Sequence, residues 1–221
     1  MSGTHHPPPT PRIAIVDYGM GNRRSVEKAL EHIGAVVSMT RDPAQLRAAD
    51  GLLLPGVGAF PAAMRTLRGL ELEEVLLECA HSGMPFFGSC MGMQLLFESS
   101  EEHDGATGLG LLRGAVRRLR TGGLNLPHIG WSEVKWSPPA RRESPLLDGL
   151  PDPSIFYHVH SLVPHPTDPD DVLGTSDYGE TFASVVAREN VFGTQFHPEK
   201  SSTHGLALLR NFARLCHRVA A

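Results

Sequence analysis

The residues of this chain that could do chemistry fall in three short stretches. The first is Gly88-Ser89-Cys90-Met91-Gly92, entered from the apolar run Met84-Pro85-Phe86-Phe87. A strand meeting a helix through a sharp turn would hold Cys90 at the apex, the thiol counterpart of the Gly-x-Ser-x-Gly elbow. The flanking glycines allow backbone to approach where a Cβ would clash. The N-terminus of the following helix favours thiolate over thiol, and the N–H of Met91 is placed to bind an oxyanion. Taken alone, the string reads equally well as a buried cysteine in a tight turn.

The second stretch, His197-Pro198-Glu199, sets a carboxylate two residues beyond an imidazole, with a rigid proline between them. Glu199 can hold one ring nitrogen and leave the other to face a sulfur. That is the logic of a nucleophile, its base and the group that orients the base. An isolated His-x-Glu is also what a surface histidine beside a capping glutamate looks like. The third stretch, Pro55-Gly56-Val57-Gly58, exposes backbone N–H groups among small side chains, which suits a tetrahedral oxyanion; alone it is an ordinary tight loop. Gln94 and Glu102 follow the elbow with polar groups for an amino-acid substrate. Glu102 would supply the anion that an α-ammonium needs.

The elements that must position these residues follow from periodicity. Apolar runs at Ile13–Val16, Ala35–Met39, Gly51–Leu54 and Met84–Gly88 read as buried strands. Helical spacing fills the gaps: Asn22–Ile33, two pieces running up to Ser82, and Met91–Ser99. Strands alternating with helices predict a parallel sheet with the loops 17–22, 55–60 and 88–92 on one edge. After Gly110 the texture turns to short β-rich pieces, at Leu111–Leu119, His128–Trp136, Ser154–Val159, Val172–Thr175, Phe182–Ala187 and Val191–Gln195. A closing amphipathic helix carries Leu208, Leu209, Phe212, Leu215 and Cys216. The Pro-rich stretches 138–153 and 164–171 read as surface loops, and residues 1–11 as a disordered tail.

Composition narrows the class. A net charge of −4 with no basic run argues against nucleic-acid binding. No window reaches the roughly 20 apolar residues needed to cross a membrane. Met1–Pro11 has neither a basic start nor an apolar stretch, so a soluble cytoplasmic protein is expected. Three widely spaced cysteines suggest neither a disulfide framework nor a zinc site, and Cys79 and Cys216 read as core residues.

Together these pieces resemble the class I (triad) glutamine amidotransferases, in which Cys, His-x-Glu and an upstream Pro-Gly-Val-Gly loop occur in this order. Within them the chain resembles the glutaminases that serve imidazole glycerol phosphate synthase. The likeness rests on residues 17–22, 54–60, 92–102, 108–114, 127–131, 158–161 and 193–202, and runs from about Arg12 to the C-terminus. Met93 stands where anthranilate and aminodeoxychorismate synthase subunits usually carry histidine.

The resemblance implies an α/β fold, with a mainly parallel central sheet flanked by helices, flavodoxin-like, and an added β-rich second half. One amidotransferase domain would span 12–221 behind the tail. It implies hydrolysis of L-glutamine to glutamate and ammonia, with Cys90, His197 and Glu199 catalytic and Gly56, Val57, Gly58 and Met91 around the oxyanion. Gln94, Glu102, His160 and Ser161 would bind substrate. Asn22 and Lys200 would face a β/α-barrel cyclase subunit in histidine biosynthesis, and no cofactor or metal is expected. The chain departs from the pattern at Ser132, where Asn is usual, and at Leu162, where Tyr is usual. Those departures keep open a glutaminase serving a different synthase; a non-catalytic binding protein on the same fold is the other alternative.

Overall fold

A computed structural model describes residues 10–219. Of the tail expected over residues 1–11, residues 1–9 lie outside the described residues. The first half alternates β1 (Arg12–Val16), α1 (Arg23–His32), β2 (Val36–Thr40), α2 (Pro43–Arg47), β3 (Gly51–Gly56), α3 (Phe60–Gly69), α4 (Leu72–His81), β4 (Phe86–Cys90) and α5 (Met91–Leu95). Then come β5 (Phe97–Ser100), β6 (Ala106–Thr107), β7 (Leu112–Arg118), β8 (His128–Trp136), α6 (Pro138–Glu143), β9 (Ser154–His160) and β10 (Leu162–Pro166). The chain continues through β11 (Val172–Asp177), β12 (Thr181–Arg188), β13 (Val191–Thr194) and α7 (Ser202–Val219).

One sheet runs in the order β2-β1-β3-β4-β13-β12-β11-β8-β9. Its first five strands are parallel and the rest antiparallel. The β-rich second half therefore extends the parallel sheet rather than forming a separate body. A smaller sheet, β10-β7-β5-β6, covers the region beyond the elbow.

β1 is apolar from Ile13 onward because both of its faces are covered there. Ala14 and Val16 join Leu52, Leu54, Met64, Leu67 and Leu76 on the side of α3 and α4. Ile13 and Ile15 join Leu30, Leu53, Leu208 and Phe212 on the side of α1 and α7. Asn190 ties the turn before β13 to the turn before β4. Its Nδ2 donates to the carbonyls of Ala80 and Met84, both at 2.8 Å, and its own carbonyl takes the Phe86 N–H at 2.9 Å.

Two expectations need correction. The helix expected over Met91–Ser99 stops at Leu95, and Phe97–Ser100 is a strand instead. Its register pairing with β7 and β6 outweighs a helical pattern too short to stand alone. The Pro-rich stretches are not wholly loops either. Ser137 caps α6, accepting from Ala140 N–H, and Pro164 and Pro166 lie in β10 on the edge of the smaller sheet, the position a strand proline tolerates.

The elbow is built by backbone contact. A Cβ on Gly92 would fall 1.8 Å from the Leu54 carbonyl oxygen, and one on Gly88 2.6 Å from the Gly92 carbonyl oxygen. Gly92→Ala should therefore destabilise the fold by about 3 kcal/mol or more, read from urea midpoints. Gly69→Ala, at the end of α3 with open space around it, should be neutral or stabilising by about 0.5 kcal/mol. Equal effects of the two substitutions would show that the elbow backbone is not the tight contact described.

Candidate active site

Cys90 ends β4 with φ 54° and ψ −111°, a conformation that a residue with a side chain rarely holds. Such strain costs on the order of 1–3 kcal/mol and persists only where surrounding packing enforces it. Here the two glycines of the elbow, pressed on Leu54 and on each other, do so. The register of β3 on β4 places Gly56 beside Cys90, and that of β13 on β4 places Thr194 beside Ser89. The chain leaving β13 therefore carries Gln195 and His197 past the sulfur.

His197 and Glu199 form the expected pair. Nδ1 lies 2.9 Å from Glu199 Oε1, and a carboxylate only accepts, so Nδ1 carries the proton and donates. Both side chains are buried. The backbone of His197 is held as firmly as its ring. Its N–H donates to the Tyr157 carbonyl at 3.0 Å, and its carbonyl accepts from Ser201 Oγ at 2.6 Å. Ser201 Oγ in turn accepts the Tyr157 N–H at 3.0 Å.

The sulfur has further neighbours that sequence reasoning missed. Gln94 Nε2 lies 3.1 Å from both the Leu162 carbonyl and Gln195 Oε1. A carbonyl cannot donate, so this fixes both amide orientations. Gln195 then turns its Nε2 toward Cys90 Sγ, at 3.9 Å. The Val159 carbonyl stands 3.8 Å from the sulfur on the other side. Gln195 adjoins the His-Pro-Glu stretch in sequence, but only the strand pairing reveals that its side chain meets the nucleophile.

Of these groups Cys90, Gln94, Val159, Leu162 and His197 line one cavity of about 220 Å³, a volume suited to a small amino acid. Its wall contains Val57, Gly58, Cys90, Met91, Gln94, His160, Ser161, Leu162, His197 and Lys200 among others. Gly56 backs it: a Cβ there would fall 2.6 Å from Tyr18 Oη and 2.7 Å from Met91 Cβ. The Tyr18 hydroxyl donates to the Pro55 carbonyl at 2.8 Å, tying loop 17–22 to loop 55–58. Two predicted residues stand elsewhere. Glu102 is outside the lining, with Oε2 accepting the Phe60 N–H at 2.6 Å at the start of α3. Asn22 is exposed in a surface depression with Arg23, Arg24 and Lys28. Of the two departures, Ser132 bonds His128 Nε2 at 2.9 Å and Leu162 lines the cavity.

Burial works to lower the pKa of His197, but hydrogen bonds to Cys90 and Glu199, and their charges, outweigh it and raise the value to about 10. This is an imidazolium held between a sulfur and a carboxylate. A folded-state value above the free-imidazole 6.5 contributes stability that is complete below about pH 6.5 and lost as pH rises through about 10. The stability difference between the parent chain and His197→Gln should therefore shrink across that interval, followed by urea midpoints. A difference that stays flat would contradict the held imidazolium.

Comparison with known proteins agrees with this geometry. The family model described as glutamine amidotransferase class-I matches residues 14–216. The chain is 50% identical to imidazole glycerol phosphate synthase subunit HisH of Bacillus cereus (strain G9842), over 90% of this chain and 93% of that one. It is 47% identical to the HisH subunit of Moorella thermoacetica, over 92% of this chain and 94% of that one. Among solved structures, PurLQS from Thermotoga maritima superposes with a TM-score of 0.72 at 20% identity, covering 96% of this chain and all (100%) of that one. The glutaminase domain of Trypanosoma brucei CTPS with bound acivicin superposes at 0.66 and 18% identity, over 95% of this chain and 94% of that one. With the family model spanning nearly the whole described chain, this protein belongs to the class-I glutamine amidotransferases.

Proposed function

We propose that this chain hydrolyses L-glutamine and delivers the ammonia to the cyclase subunit of imidazole glycerol phosphate synthase, for imidazole glycerol phosphate and aminoimidazole carboxamide ribotide formation in histidine biosynthesis. The observation that carries this reading is the strained Cys90, which lines an amino-acid-sized cavity together with His197, whose ring Glu199 holds. The names of the relatives at about half identity support the choice of synthase.

The chemistry follows from the groups in place. The Cys90 sulfur attacks the side-chain carboxamide carbon of glutamine, and the carbonyl oxygen becomes an oxyanion. Backbone N–H groups of Val57, Gly58 and Met91 hold that oxyanion, with Gly56 leaving room for it. His197 gives its Nε2 proton to the departing nitrogen, the carbon–nitrogen bond breaks, and ammonia leaves a γ-glutamyl thioester. His197 then takes a proton from water, whose oxygen attacks the thioester carbon, and glutamate departs as the sulfur is released. Glu199 keeps the ring in the tautomer that permits both transfers. Gln94 and Ser161 hold the amino-acid end of the substrate. Glu102 fixes the start of α3 through Oε2.

A partner surface adjoins the cavity. On β8 and β9, Ile129, Trp131 and Ile155 are 61%, 54% and 44% exposed, large apolar groups that water should not keep. Register puts Ile129 opposite Val159, whose carbonyl faces the sulfur, and Trp131 opposite Tyr157, whose carbonyl holds His197. Lys200, exposed at the rim of the cavity, adds a charge to the same side.

Two outcomes test the proposal. Cys90→Ala and His197→Ala should each abolish glutamine-dependent ring closure in the complex with the cyclase, while closure driven by ammonium salts stays near the parent rate. Loss of both activities would count against a role confined to ammonia supply. Trp131→Ala should weaken cyclase binding about 30-fold or more, measured by titration calorimetry, with the isolated chain's stability from urea unfolding changed by less than about 0.5 kcal/mol. Unchanged affinity would place the partner elsewhere.

A further inference from the structure

The opposite face of the same ribbon carries three histidines that glutamine hydrolysis does not require as a set. His128 on β8 stands directly across from His160 on β9, and His158 lies two residues before His160. Period-two alternation turns all three inward, away from Ile129 and Trp131. They are 2%, 0% and 6% exposed. One nitrogen from each ring lies within 4.8 Å of the other two, with His158 Nδ1 and His160 Nε2 3.1 Å apart.

The spacing of the rings is that of ligands on one ion. A tetrahedral zinc–imidazole bond of about 2.0–2.1 Å places each ring centroid about 3.2 Å from the metal, and two centroids about 5.2 Å apart. The three observed centroid separations are 5.1, 5.2 and 5.3 Å.

Hydrogen bonding singles out the same rings: His158 Nδ1 and His160 Nε2 are a hydrogen-bonded pair, one donating to the other, and a shared ion would take the place of that proton. His128 Nδ1, His158 Nε2 and His160 Nδ1 are buried without a partner, three of the five such side-chain atoms among the described residues. A buried polar atom left unpaired is costly, and of the three His128 Nδ1 is the one that an ion held between the other two rings would satisfy. Ser132 Oγ, bonded to His128 Nε2, orients that ring as an outer partner orients a metal-binding histidine, leaving Nδ1 to ligate. His160 also lines the cavity that holds Cys90, which gives an ion a way in.

We propose that His128, His158 and His160 form a three-imidazole site for a divalent d-block cation of the zinc class, in the wall of the Cys90 cavity. A donor set of imidazoles alone suits Zn²⁺, Co²⁺, Ni²⁺ or Cu²⁺ and excludes the oxygen-seeking Mg²⁺ and Ca²⁺. The sequence reading expects no metal here, because only the β8–β9 register brings His128 to the other two. The inference does not depend on what Cys90 reacts with.

The test uses the full chain with Cys90→Ser, so that the nucleophile's sulfur cannot bind the metal. Titration with Co²⁺ alone should give one tight equivalent with a tetrahedral visible spectrum, displaced by Zn²⁺ and untouched by Mg²⁺. Adding His158→Phe, which fills the space beside Phe182 and Phe196 with another ring, should weaken that binding by about 100-fold or more. His128→Gln serves the same purpose with a polar replacement, and metal-free thermal melts establish that each variant is folded. X-ray absorption at the cobalt edge should count three imidazoles. Tight binding unchanged by both variants, a carboxylate-rich shell, or no binding to the Cys90→Ser chain would each overturn the proposal.

Discussion

The parallel pairing of β3, β4 and β13 is the constraint on which the chemistry of this protein depends. Parallel neighbours end at the same edge, so the residues that leave them meet there whatever their separation in sequence. Gly56 beside Cys90, and Thr194 beside Ser89, are register statements, and they decide which groups the sulfur meets. Asn190 secures that register from the far end of the strands, joining the turns that precede β4 and β13. A slip of one residue would turn Cys90 to the other face and remove the site.

The site is costly to build, and the structure shows where the cost is met. A left-handed Cys90, two glycines without room for a methyl group, and a buried imidazole–carboxylate pair are each unfavourable taken alone. The pair is tolerable because its hydrogen bonds are good and because Cys90 gives the imidazolium a second partner. Much of what surrounds it is backbone: the Val159 carbonyl at the sulfur and the Tyr157 carbonyl on the His197 N–H, with the Ser201 side-chain hydroxyl on the His197 carbonyl. Backbone groups held in strands have little freedom left to lose, so they position a nucleophile at small further entropic cost.

The sequence was most legible where chemistry and periodicity coincided. The elbow, the His-Pro-Glu stretch and the first four strands all follow from local pattern, and the first two form a catalytic pair only because the sheet joins them. What stayed hidden has a common cause. β5 looks helical because Phe97 continues the spacing of α5, and only its partners β6 and β7 make it a strand. Gln195 meets the sulfur through an amide network spanning residues 94, 162 and 195. Glu102 has the polarity expected of it but contacts the Phe60 N–H, a placement set by the start of α3 rather than by residue type. Trp131 and His158 lie on opposite faces of one ribbon, and the alternation that sorts them acquires meaning only once β8 and β9 are paired.

That ribbon joins the separate parts of the molecule. β9 gives one carbonyl to the sulfur side of the site and another to the backbone of His197, while Ile129 and Trp131 on β8, with Ile155 on β9 itself, form the apolar strip. Val159 and Tyr157 are both non-adjacent links in a strand bonded to β8 along seven register pairs, from His128↔His160 to Val134↔Ser154. A body seated on Trp131 therefore presses on a strand that cannot shift without moving the carbonyls that face Cys90 and His197. The inward histidines belong to the same strands, and anything that ties them together stiffens the ribbon from its other side. Coupling between an outer face and a nucleophile usually requires a chain of packed side chains. Here one layer of paired backbone separates the two, and the alternation of a β-strand is enough to connect them.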